Sequence, residues 1–147
     1  MSNLSLTSEE FKNIYSRVPR LCVEVVIKTD EGYLLTKRAI PPCEGQWHLP
    51  GGTVLYKESL EDALKRVAKA ELGVNVEVGE FLGYMEFLHF DEMGGYDHPI
   101  SLAFLCTPDH YDFTLDVQAS EYAFFKEIPE NTLAEQKEFL RKHLAKH

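Results

Sequence analysis

Apolar residues recur along this chain with two different periods. Over 21–28 they alternate, with Leu21, Val23, Val25 and Ile27 on one side and Cys22, Glu24 and Val26 on the other, as in a strand. Asp30, Glu31 and Gly32 then predict a turn, and 33–38 its hairpin partner. Over 60–67 the period lengthens, and Leu60, Ala63, Leu64 and Val67 form the stripe of an amphipathic helix. Ser59 is its expected N-cap, Glu61 and Asp62 suit the dipole of its first turn, and Gly73 is placed to end it in a left-handed turn. Further strands are expected over 74–78, 81–90, 100–106 and 122–126.

Two more helices frame these elements. Thr7 and Glu10 have capping-box spacing, which predicts a helix over 7–17 with Phe11, Ile14 and Tyr15 on one face, packed at the domain's edge. Thr132 and Glu135 repeat that spacing ahead of a C-terminal helix packed through Leu133, Phe139, Leu140 and Leu144. Trp47 is expected as a core anchor and His48 as a structural or exposed histidine. The segment 91–99, with its glycines and acids, reads equally as a lid over a cleft and as a surface loop.

The 147 residues suffice for one domain, 1–147, with a substantial core. A net charge of −9 argues against nonspecific nucleic-acid or anionic-membrane partners. A small anionic substrate stays compatible, because a metal and a few arginines can reverse the field locally. Cys22, Cys43 and Cys106 lack CxxC spacing and read as reduced thiols of a cytoplasmic protein. The polar N-terminus lacks the apolar core of a signal peptide, and no apolar run reaches membrane-spanning length. A homodimer is an assembly that the sequence leaves open.

The spacing from Gly52 through Glu58 and Arg66 to Glu71, Gly73 and Val74, preceded by Leu49 and Pro50, resembles the Nudix box. The resemblance implies a Nudix α/β/α sandwich, with a mixed β-sheet between helices. It departs at two positions where the family pattern has glutamates, Val67 and Ala70 here. Those glutamates serve the family in holding divalent metal against a diphosphate. Val67 stands where the carboxylate often assigned as general base would be, so water is to be activated from elsewhere.

The degenerate box is similar to that of the GDP-mannose mannosyl hydrolases, Nudix relatives that cleave at the sugar carbon. That resemblance implies Mg2+ or Mn2+ held by the Gly51 carbonyl, Glu71 and Gln118, and a nucleotide substrate met by Arg38, Glu24 and Arg66. It also aligns His89 and His98 with histidines flanking the relatives' mobile loop. Together with Arg38 and Glu24 these are the catalytic candidates. Thr53 replaces a basic residue of the relatives, and Ala119 replaces the histidine proposed as their general base. The base is therefore open among His98, His89, Glu121 and Glu24.

Three functions are compatible with this pattern. The first is magnesium-dependent cleavage of a nucleoside diphosphate sugar at the sugar carbon. The second is a pyrophosphohydrolase acting on nucleoside diphosphate derivatives or nucleoside triphosphates. The third is an inactive nucleotide-binding module.

Overall fold

The computed structural model describes residues 6–90 and 95–146. The order is α1 Ser8–Tyr15, β1 Pro19–Val26, β2 Lys28–Thr29, β3 Gly32–Arg38, β4 Trp47–His48, β5 Gly51–Thr53, α2 Leu60–Leu72, β6 Val76–Glu86, β7 His98–Pro108, β8 Ala119–Phe125 and α3 Ala134–Lys146.

One sheet runs β5-β1-β7-β6. It is mixed: β1 is parallel to β7, while β5 and β6 pair antiparallel with their neighbours. A second sheet is centred on β3, which pairs antiparallel with β2, β4 and β8. The two faces of β1 feed two cores. Val23, Val25 and Ile27 pack with Ala63, Leu64, Val67 and Leu72 of α2. Val26 belongs to the opposite core, with Trp47, Met85 and Leu140 of α3. This is the α/β/α sandwich with a mixed sheet that the sequence leads one to expect.

The helix following the two glycines begins and ends as its sequence dictates. The Ser59 hydroxyl accepts from the Asp62 amide at 3.0 Å, and Gly73 closes the helix at φ 70°. α1 carries both bonds of the Thr7–Glu10 capping box. Trp47 is buried and packs edge-on against Phe125 at 4.8 Å between ring centroids.

Two expectations fail locally. The predicted strands 74–78 and 81–90 are one strand, Val76–Glu86, whose irregular register between Val78 and Gly83 absorbs the Gly79–Glu80 interruption. Thr132 does not cap α3: its hydroxyl has no hydrogen-bond partner among the described residues. Its backbone is instead drawn beside β4, where Trp47 donates to the Asn131 carbonyl and accepts from the Leu133 amide, each at 3.0 Å. Of the suggested lid, 91–94 lie outside the described residues, as does the Leu144 side chain.

Candidate active site

A cleft of about 540 Å3 opens over β1, β5 and the start of β7 and runs along α2. Strand alternation decides what faces it. Arg20, Cys22 and Glu24 of β1 line it, as do Asp97, Pro99 and Ser101 at the corresponding alternate positions along and just before β7.

Glu24 is buried at 6% exposure. It stands opposite Gly51 in the β1–β5 pair. A Cβ added to Gly51 would lie 2.0 Å from Glu24 Oε2, so the glycine is what admits the carboxyl. Burial pushes the Glu24 pKa up to about 8 against the pull of the Ser101 hydroxyl, and the Glu71 charge adds to the rise. Glu71, near the C-terminal end of α2, is likewise pushed up to about 8 by burial and then by the charge of Asp116. The backbone N–H of Gly51, donating to the Glu71 carboxylate, and the charges of Arg38 and Arg66 oppose that shift.

Gly51 therefore stands between the buried Glu24 and the half-buried Glu71, whose charge disfavours the ionised form of Glu24. A divalent cation would relieve both, which fits the metal that the box implies. Among the described residues no three His, Cys, Asp or Glu side chains close into a metal-binding group by themselves. The ion's shell would therefore draw on backbone carbonyl, Gln118, phosphate and water beside carboxylate.

Gln118 and Asp116 reach the cleft together. The turn before β8 is held by the Gln118 amide donating to the Asp116 carboxylate at 3.0 Å. Ala39 ties the same turn to the end of β3 by donating to the Gln118 carbonyl at 2.8 Å. Arg38 lines the cleft, with its Nε donating to the Pro42 carbonyl at 2.6 Å and its Nη2 reaching the Pro41 carbonyl at 3.3 Å. Its planar fork thus also shapes the 39–45 loop.

Arg66 lines the cleft too, yet its fork has partners within the protein. It makes a paired contact with Glu58 at 2.8 and 3.0 Å and reaches the Thr53 carbonyl at 2.8 Å. Glu58 in turn accepts from the Leu55 amide at 3.0 Å. These two box residues hold the loop between Gly52 and α2.

Val67 is buried in the core against α2's neighbours, and its Cγ2 would lie 3.1 Å from a Cβ on Gly52. Hydrocarbon therefore occupies the position at which the resemblance leads one to expect a glutamate. His48 is also buried. Its ring bonds the Leu49 carbonyl through Nδ1 at 2.8 Å and meets Thr36 Oγ1 through Nε2 at 3.3 Å. Burial pushes its pKa down to about 4, which keeps the ring neutral and structural.

Two catalytic candidates are not brought to the cleft. His98 lies between Asp97 and Pro99, both of which line it, so alternation turns the imidazole to the other face. His89 is exposed and also stands outside the lining, although Phe87 and Phe90 belong to it. Glu121, on β8, is exposed and outside it as well. Of the candidate bases, Glu24 remains in the cleft.

Sequence reasoning passed over Asp116, Arg20, Asp97 and Ser101. Arg20 was within reach of the alternation argument, since it shares a face with Glu24. Asp97 and Ser101 required knowing that β7 lies parallel to β1.

A mixed-sheet sandwich with an acidic cleft beside a glycine-led strand-loop-helix unit defines a Nudix domain. The NUDIX domain family model matches residues 18–145, and the chain belongs to that family. It is 38% identical over 82% of its length to the low-salt glycan biosynthesis protein Agl8 of Haloferax volcanii, of which the match covers 80%. It is 33% identical over 73% of its length to an ADP-ribose pyrophosphatase of Methanocaldococcus jannaschii, of which the match covers 62%. A MutT protein from Methanosarcina mazei Go1 shares the fold at a TM-score of 0.75 and 22% identity, covering 87% of this chain and 94% of that one.

Proposed function

We propose that this Nudix protein hydrolyses a nucleoside diphosphate sugar, with water attacking the sugar carbon and the nucleoside diphosphate leaving. The observation that carries the reading is Val67, a buried hydrocarbon at the box position of a glutamate, beside a cleft where Glu24 supplies a carboxyl from a different strand. The relative from Haloferax volcanii, named for glycan biosynthesis, supports a sugar-bearing substrate.

Glu71, the Gly51 carbonyl and Gln118 would hold Mg2+ or Mn2+, with Asp116 adding negative charge nearby. Such an ion, when bound, neutralises charge on a diphosphate and makes it a better leaving group. Arg38 presents its guanidinium to the diphosphate, where a fork matches paired phosphate oxygens. Glu24 accepts the proton of the attacking water in its ionised form, which the charge of a bound cation would favour against burial. Arg66 acts by fixing Glu58 and the loop after Gly52. Reduced thiols at Cys22, Cys43 and Cys106 would suit a cytoplasmic setting.

A second reading, attack at phosphorus, is favoured by Asp116. It and Glu24 bring the carboxylates near Glu71 to a larger number than the helix alone supplies. The relative named an ADP-ribose pyrophosphatase points the same way. Chromatography of products from a panel of nucleotide sugars, ADP-ribose and nucleoside triphosphates with magnesium separates the readings. Free sugar and nucleoside diphosphate support attack at carbon. Nucleoside monophosphate with sugar phosphate supports attack at phosphorus. No turnover of any member would leave a nucleotide-binding module.

A further inference from the structure

Of the two β7 residues that line the cleft, Pro99 and Ser101, Ser101 carries a hydrogen-bonding side chain. It is buried at 1% exposure. β7 is paired on both sides, so Ser101 has Cys22 of β1 opposite it on one neighbour and Met85 of β6 on the other. Two residues further along the same face, Ala103 is the strand partner of Glu24. The hydroxyl therefore stands one step along the cleft face from the Glu24 side chain.

We propose that Ser101 is a positioning residue, whose hydroxyl aims the Glu24 carboxylate at the water it deprotonates. The inference rests on the reading of Glu24 as the proton acceptor, and it names the group that gives that flexible side chain one orientation.

Hydrogen bonding argues for this assignment. The Ser101 hydroxyl donates to the Glu24 carboxylate. A serine has a single proton to give. Its other neighbour, the Cys22 thiol, already donates to the Arg20 carbonyl at 3.8 Å. Burial pushes that thiol up to about 12, so it stays neutral, and a neutral thiol is a weak acceptor. The proton is left for Glu24.

Packing argues the same way. On the far side of β1, β5 presents Gly51, which leaves room for the carboxyl and does not hold it. A Cβ there would be 2.7 Å from the Glu24 carboxyl carbon, and the Gly51 N–H is given to Glu71. A carboxylate has two oxygens, so one donor from β7 leaves the second for the water. Both ladders of β7 fix the backbone of residue 101, so the donor is in place before substrate binds.

The test is a cycle of Ser101→Ala, Glu24→Gln and the double variant, on the full chain with magnesium. Single-turnover rates are read with enzyme in excess, on GDP-mannose and on ADP-ribose in parallel, and GDP affinity is read by calorimetry. Ser101→Ala should slow turnover about 100-fold, the scale of a catalytic group misplaced by about 1 Å, and leave GDP affinity unchanged. Added to Glu24→Gln it should slow turnover no further, because no proton acceptor is left to aim. A wild-type rate in Ser101→Ala would overturn the inference. So would the same fold-loss in both backgrounds, which marks a purely structural serine, or a loss of GDP affinity equal to the loss of rate. A wild-type rate in Glu24→Gln would remove Glu24 as the acceptor and the role of Ser101 with it. Cleavage to nucleoside monophosphate and sugar phosphate, with the cycle as expected, would overturn attack at carbon and leave the Ser101–Glu24 pair standing. No turnover of either substrate by the wild type would overturn both.

Discussion

Gly51 and Glu24 face each other across the β1–β5 pair with no room for a methyl group between them. A Cβ on residue 51 would stand 2.0 Å from Glu24 Oε2 and 2.7 Å from the Val23 carbonyl oxygen. Gly51→Ala must therefore move the Glu24 carboxyl or separate β5 from β1. Overpacking of this kind costs about 1–3 kcal/mol, and turnover should fall with it. Urea unfolding of Gly51→Ala, Glu24→Ala and the double variant measures this. The double variant should be more stable than the sum of the two single losses requires, because removing the carboxyl makes room for the methyl.

Glu71 accepts the Gly51 N–H near the C-terminal end of α2. Glu71→Gln keeps the size and an acceptor but removes the charge. Turnover and apparent magnesium affinity should fall together, by more than the about 10–100-fold seen when only an outer partner of a metal ligand is changed. A titration of activity against magnesium checks it, and a wild-type curve would remove Glu71 from the ligand set.

The same two carboxyls make the metal-free protein sensitive to pH. The folded pKa values of Glu24 and Glu71, each about 8, lie above the ordinary 4.5, so the folded state holds more protons than the unfolded chain between those values. The stability this contributes is present at low pH and is lost as pH rises toward 8. His48 has the opposite sign. Its pKa falls from 6.5 to about 4, so its contribution is lost as pH drops below 6.5. The interval from 6.5 to 8 therefore isolates the carboxyls. Melting temperature in chelator should fall across it, magnesium should reverse the fall, and Glu24→Gln should flatten the slope.

Arg38 couples the 39–45 loop to the cleft through the Pro41 and Pro42 carbonyls. Arg38→Lys keeps the charge and loses the fork. Nucleoside diphosphate affinity should weaken by about 1–3 kcal/mol, the range for hydrogen bonds to charged groups. Calorimetry with GDP checks this, and unchanged affinity would return Arg38 to a purely loop-shaping role.

How much of this was legible in the sequence depends on the range of the interaction. Ser59, Gly73 and the apolar stripe of α2 act within a few residues, so pattern alone located the helix and its ends. Glu24 was found by strand alternation and by the resemblance to the mannosyl hydrolases. The site's wider membership depends on strand neighbours. Pairing β1 parallel with β7 brings Asp97 and Ser101 to the cleft and turns His98 away, and no local pattern encodes that pairing. Thr132 shows the converse, a local capping signal overridden when the backbone pairs with β4. Asp116 stood in view before β8, but its weight emerges only where its charge meets Glu71.

In the proposed reaction Glu24, beside the hydrocarbon of Val67, directs water to carbon instead of phosphorus. Hydrolysis of a GDP-sugar in 18O-labelled water, read by mass spectrometry, tests it most directly. Label should appear in the released sugar and not in GDP, with the sugar first in inverted anomeric configuration, because one direct displacement inverts the centre. Label in a phosphate group, with GMP and sugar phosphate as products, would contradict it.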